Sequence, residues 1–136
     1  MFRTILTVVV AAAAAGVLHE GSGKKGGKVR VLSEREIVEK VDGEKSKATT
    51  VEVTLEPGQA GAPHRHPGPV FGFIIEGEYD WAIDENPVKT LKAGETFYEP
   101  TGCLHRVSKN ASDKHRARVL AVVLHGAEVK EIVIPE

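Results

Sequence analysis

Two short segments, about forty residues apart, set three histidines between glycine and proline turns: Gly58-x5-His64-x-His66 and Gly94-x5-Pro100-x-Gly102-x2-His105. On an extended strand, residues i and i+2 face the same side. His64 and His66 can therefore aim at one point while His105 approaches from a neighbouring strand. Imidazoles that converge in this way suit a first-row divalent metal. Three imidazoles set out this way, between glycine and proline turns, suggest a metal held inside a small β-barrel.

The rest of the chain reads as β-structure. From Thr50, Val51, Val53 and Leu55 alternate with Glu52, Thr54 and Glu56 until Pro57-Gly58 stops the strand. Further strands are expected over Val70 to Ile75, Glu78 to Ile83, Val88 to Leu91, Thr96 to Glu99, Arg106 to Ser108, Arg116 to Leu124 and Val129 to Ile134, with glycine, proline and asparagine turns between them. Many short strands at this spacing predict an all-β sandwich or barrel. Near the start, Val29 to Leu32 reads as a strand. Ser33-x-x-Glu36 ahead of Ile37 and Val38 has the form of a capping box and predicts one short helix. Asp42-Gly43 marks a turn, and the polar stretch to Ala48 reads as a loop. Val70 to Ile75 and Val119 to Leu124 are apolar on both faces, which predicts burial between two layers or a homodimer.

Residues 1–18 differ in kind. Arg3 is the only early charge, and the uncharged run from Thr4 to Leu18 ends in alanines and a glycine. This reads as a secretory signal peptide cleaved near Ala15. The alternative is a single anchoring helix, for which the run falls short of the ~20 residues that span a bilayer. Residues 19–28, rich in glycine and lysine, read as a flexible tether, and residues 29–136 as one folded domain. The expected location is outside the cytoplasm, periplasmic or secreted, with no membrane attachment after cleavage. Cys103 is the only cysteine, so no internal disulfide can form. Lys+Arg 18 and Asp+Glu 19 nearly cancel and are interspersed, which argues against nucleic acid as a partner.

At its histidine segments the chain resembles the cupin superfamily, specifically the small single-domain cupins. Gly58, His64, His66 and Gly77 fall in register with the first motif of that family, G-x5-H-x-H-x3,4-E-x6-G. Gly94, Pro100, Gly102 and His105 match the second, G-x5-P-x-G-x2-H-x3-N, with Asn110 one position late. The resemblance covers roughly Val51 to Leu124. It implies a double-stranded β-helix, or jelly-roll barrel, that binds one divalent transition metal through His64, His66 and His105. One departure matters: the glutamate that usually completes the metal shell is replaced by Val70. The remaining three-histidine set resembles that of thiol dioxygenases and diketone-cleaving dioxygenases in the same superfamily.

In cupins the positions in register with Phe97 and Glu99 usually carry apolar side chains that face the barrel, so the resemblance implies that Glu99 points inward, where a bare carboxylate needs a cation or a hydrogen bond. It is a candidate fourth ligand or general acid/base, and the alternative is a carboxylate bonded to backbone N–H groups. Gln59 has a loop position from which it could reach a metal, against the ordinary reading of a solvated side chain. Cys103 reads as a small buried hydrophobe or a further ligand. Tyr79, Tyr98 and Trp81 read as packing residues, and His115 and His125 as surface or core residues. Gly72 removes a side chain from the barrel wall, which could make room for a ligand.

Three functions remain open on the sequence: an Fe(II) oxygenase acting on a small molecule, a non-redox Lewis-acid enzyme using zinc, manganese or nickel, and a small-molecule binding protein without turnover. No nucleotide loop or serine-histidine-aspartate arrangement competes with the histidines. The 5% aromatic content argues against a sugar-stacking platform.

Overall fold

The computed structural model describes residues 26–136. The segment read as a signal peptide and most of the tether lie outside the described residues. Ten strands follow in order: β1 (Lys28–Val41), β2 (Glu44–Leu55), β3 (His64–Arg65), β4 (Val70–Glu76), β5 (Glu78–Ile83), β6 (Lys89–Lys92), β7 (Thr96–Glu99), β8 (His105–Asn110), β9 (Ala117–Gly126) and β10 (Ile134–Pro135). They form two five-stranded antiparallel sheets, ordered β1-β2-β9-β4-β7 and β10-β3-β8-β5-β6. The two inner faces enclose the core, and the expected all-β jelly roll is the fold observed.

The short N-terminal helix does not form. Ser33 to Val38 lie in β1, which pairs with β2 from Lys28↔Thr54 to Val41↔Glu44. The polar stretch before Ala48, read as a loop, is the first half of β2. Both differences trace to Asp42-Gly43, whose φ angles of +54° and +80° make the two-residue turn that matches strand twist. That turn offers the flanking residues a ladder of backbone hydrogen bonds, whereas an isolated helix of one or two turns is unstable in water. At the far end the expected strand Val129 to Ile134 shrinks to β10, and the preceding segment 127–133, a strap without strand pairing, brings Ile132 and Val133 to the wall of the inner cavity.

β4 and β9 alternate between buried and more exposed residues. Their inner face (Val70, Ile74, Ala117, Val119, Val123) joins Leu55, Tyr79, Trp81 and Leu91 in one hydrophobic cluster. Fully burying a side chain such as Ile74 or Leu55 contributes about 1.5–3 kcal/mol. Their outer face carries Phe71 and Phe73, which are 50% and 42% exposed, beside Tyr98 at 51%. The second apolar face is thus not covered by another layer among the described residues.

Gly72 is explained by packing rather than by ligand space. A Cβ there would stand 2.0 Å from the Phe97 ring, so the missing side chain makes room for that ring.

Candidate metal centre

His64 opens β3 and His105 opens β8, and the two are direct register partners. His66 lies just beyond β3. One nitrogen from each of the three rings lies within 4.8 Å of the others. The structure thus brings together the three residues singled out as ligands.

Backbone carbonyls set the tautomers of two of them. His64 Nδ1 donates to Ala62 O at 2.8 Å, and His66 Nδ1 donates to Ile132 O at 2.6 Å. With Nδ1 donating, each ring in its metal-ligating form presents a bare Nε2, and these two atoms face each other at 3.1 Å. Two lone pairs cannot satisfy one another, so the contact requires a shared cation or a proton. Nitrogens bound to one metal at ~2.1 Å stand roughly 3–3.5 Å apart, which the observed spacing fits.

His105 adds to this picture. Tyr79 Oη donates to Ser108 Oγ at 2.8 Å, which leaves its oxygen to accept from His105 Nε2 at 3.3 Å. His105 Nδ1 then carries the lone pair. It is buried without a hydrogen-bond partner, as is Glu99 Oε2. An orphaned nitrogen and an orphaned carboxylate oxygen in one buried pocket form a donor set that a divalent metal would satisfy.

Glu99 is 1% exposed. Its Oε1 accepts from Trp81 Nε1 at 2.9 Å and stands 3.2 Å from His105 Nδ1, while Oε2 is 3.7 Å from His66 Nε2. These contacts are not ion pairs, because both rings are neutral. Burial lowers the His66 pKa, and burial together with the neighbouring His64 and His66 rings lowers that of His105 to about 3. Burial pushes Glu99 up to about 7, against a smaller lowering by the Trp81 hydrogen bond. Val70, at the position where the resemblance expects glutamate, pairs directly across the sheet with Glu99. The acid therefore sits one strand over from its expected place, on the same inner face.

The other candidates lie elsewhere. Gln59 Oε1 accepts from Glu56 N at 2.8 Å and closes a turn. Cys103 packs against the core cluster, and burial raises its thiol to about 11, so it stays protonated. His125 is buried against Thr49 Oγ1 at 2.8 Å, and His115 is exposed. Asn110, one position late for the second motif, is buried and donates from Nδ2 to Leu55 O and His115 O. Three partners of the site escaped the sequence reading: Trp81, Tyr79 and the Ile132 carbonyl. Only a phenol O–H and an indole N–H on alternate positions of β5, the same face of one strand, hinted at the first two.

A cavity of about 400 Å³ opens beside the histidines. Its wall combines Val31, Val51, Val70, Phe97 and Val123 with Ile132 of the strap. The strap meets the site through the Ile132 carbonyl, and beyond β10 Arg65 pairs with Glu136 at 3.0 Å and donates to Gly102 O at 2.8 Å.

The family model described as "Cupin domain" matches residues 51–123. No curated protein sequence matches the chain. Among solved structures, an uncharacterized conserved protein with a double-stranded β-helix domain from Klebsiella pneumoniae is similar at 19% identity and TM-score 0.63, covering 85% of this chain and 90% of that one. DMSP lyase DddQ from Ruegeria pomeroyi is similar at 18% identity and TM-score 0.59, covering 81% of this chain and 51% of that one. Oxalate decarboxylase from Bacillus subtilis, described with Mn(II) centres, matches at 24% identity and TM-score 0.60, over 82% of this chain and 28% of that one. Likenesses at this identity speak to the fold, and this chain spans only about half of the lyase and less of the decarboxylase.

Proposed function

This chain belongs to the cupin domain family, and on that premise we propose that it is a metal-dependent enzyme that holds one divalent transition metal on His64, His66 and His105 and acts on a small molecule. Iron(II) and oxygenase chemistry is the preferred form. The observation that carries the reading is the pair of bare Nε2 atoms at 3.1 Å beside the orphaned His105 Nδ1 and Glu99 Oε2. Bound iron(II) would supply the one-electron chemistry that dioxygen requires.

The chain's own groups have separable tasks. Three neutral imidazoles leave the metal's charge uncompensated, and the Ala62 and Ile132 carbonyls lock two of them in the ligating tautomer. Glu99, clamped at Oε1 by Trp81, holds or moves a proton at Oε2, or supplies a fourth ligand from the strand beside Val70. The apolar wall keeps water from the reacting centre. Lewis-acid chemistry on zinc, manganese or nickel uses the same ligands and the Glu99 proton, so metal identity separates it from the oxygenase reading. The proposal includes export, supported by the signal-like residues 1–18, and a homodimer, supported by exposed Phe71, Phe73 and Tyr98.

Nitric oxide, a dioxygen surrogate, tests the oxygenase form without a known substrate. Anaerobic protein loaded with iron(II) is expected to give a half-integer-spin iron–nitrosyl resonance that His66→Ala abolishes. Wild-type protein that binds iron(II) and gives no such signal would refute it.

A further inference from the structure

The cavity beside the histidines says which molecules the site can take, and the inference drawn from it rests on the metal-site reading above. Its wall is hydrocarbon almost throughout: Val31, Val51, Val70, Phe97, Val123 and Ile132 surround the space in front of His64 and His66. Among the described residues no lysine or arginine lines it, and its only formally acidic group is Glu99. Arg65, the neighbour of His64 in β3, does not line it and is spent on Glu136 and Gly102 O.

A dicarboxylate such as oxalate would bring two negative charges into this space. One metal ion would be the sole cation to receive them, with a glutamate already beside it. Burying an anionic group without a matching charge or hydrogen bond is costly, whereas an alkyl or aryl body gains by leaving water. A volume of about 400 Å³ lies at the small end of the range for small-molecule sites. We propose that the barrel binds a compact, uncharged molecule with an apolar body against the valine and phenylalanine wall and one small oxygen-bearing chelating head at the three histidines, and that it discriminates against dicarboxylates.

The test separates wall from metal. N-phenyl-1-naphthylamine, an uncharged fluorophore, reads the wall in metal-free protein. Its emission is expected to rise on binding, and Val31→Lys is expected to weaken that binding about tenfold by placing a charge at the cavity rim. Val31 is 60% exposed, so the fold tolerates the change. In Co(II)-loaded protein, 2-hydroxyacetophenone, an uncharged hydroxyketone, is expected to displace the fluorophore at a concentration about tenfold lower than oxalate does. Failure of the fluorophore to bind, or displacement by oxalate at equal concentration, would overturn the proposal. Failure to take up Co(II) while the fluorophore still binds would instead overturn the metal reading and leave the apolar ligand class standing.

Discussion

Replacing Glu99 with glutamine is expected to stabilise the metal-free protein at alkaline pH and to weaken its hold on metal. The carboxyl is 1% exposed, and burial raises its pKa from 4.5 to about 7. A group whose pKa is raised by folding contributes stability that is complete below the unfolded value and lost as pH rises through the folded one. Between pH 4.5 and 7 the wild type therefore loses on the order of 3 kcal/mol, at ~1.4 kcal/mol per tenfold change in proton affinity. Glutamine keeps an oxygen for the Trp81 N–H and never ionises, so the variant escapes that loss. His66 and His105, whose pKa values are lowered, act in the opposite sense, costing stability as pH falls below 6.5. That effect is common to both proteins and cancels in the comparison. Thermal unfolding of chelator-treated protein at pH 5 and pH 8 reads the difference. The variant should gain on wild type by roughly 10 °C between the two. With zinc present the order should reverse, because the wild-type carboxylate faces the ligating rings at 3.2 and 3.7 Å. A wild-type-to-variant gap that is the same at both pH values would refute the reasoning.

Because Val70 and Glu99 are cross-strand partners, their side chains stand about 4.5–5.5 Å apart at Cβ. Exchanging them, with Val70→Glu and Glu99→Val together, should restore metal content that Glu99→Val alone reduces, as read by elemental analysis. Truncation after Glu131 removes the Ile132 carbonyl that orients His66 and the Arg65–Glu136 pair. Metal affinity measured by chelator competition should then fall about 10–100-fold, with the far-ultraviolet circular dichroism of the barrel retained. Light scattering at micromolar concentration should show a dimer that Phe71→Lys with Phe73→Lys converts to a monomer, and a monomeric wild type would remove the dimer.

The β-character and the three histidines were legible because each rests on a local rule. Turn residues bounded β5 and β7 to the residue, and motif spacing found His64, His66 and His105. The ligand geometry has a different origin from the i, i+2 argument, however. β3 holds only His64 and Arg65, and convergence comes from the His64↔His105 register together with the carbonyl that turns His66 inward. Glu99 could be turned inward by parity, but its partner Trp81 is 18 residues away, and the Ile132 carbonyl is 66 residues from His66. Local pattern carries no record of such long-range hydrogen bonds. The N-terminal hairpin was misread for a similar reason: a capping signature is local, and the β2 edge that overrides it is a tertiary partner.

The most direct test is the metal content of protein isolated from the compartment where it acts, compared with that of His66→Ala by elemental analysis. About one equivalent of a divalent transition metal per chain, lost in the variant, is the predicted result, with iron favouring the oxygenase form. Metal-free wild type, or a variant that keeps the metal, would contradict a centre built on these histidines.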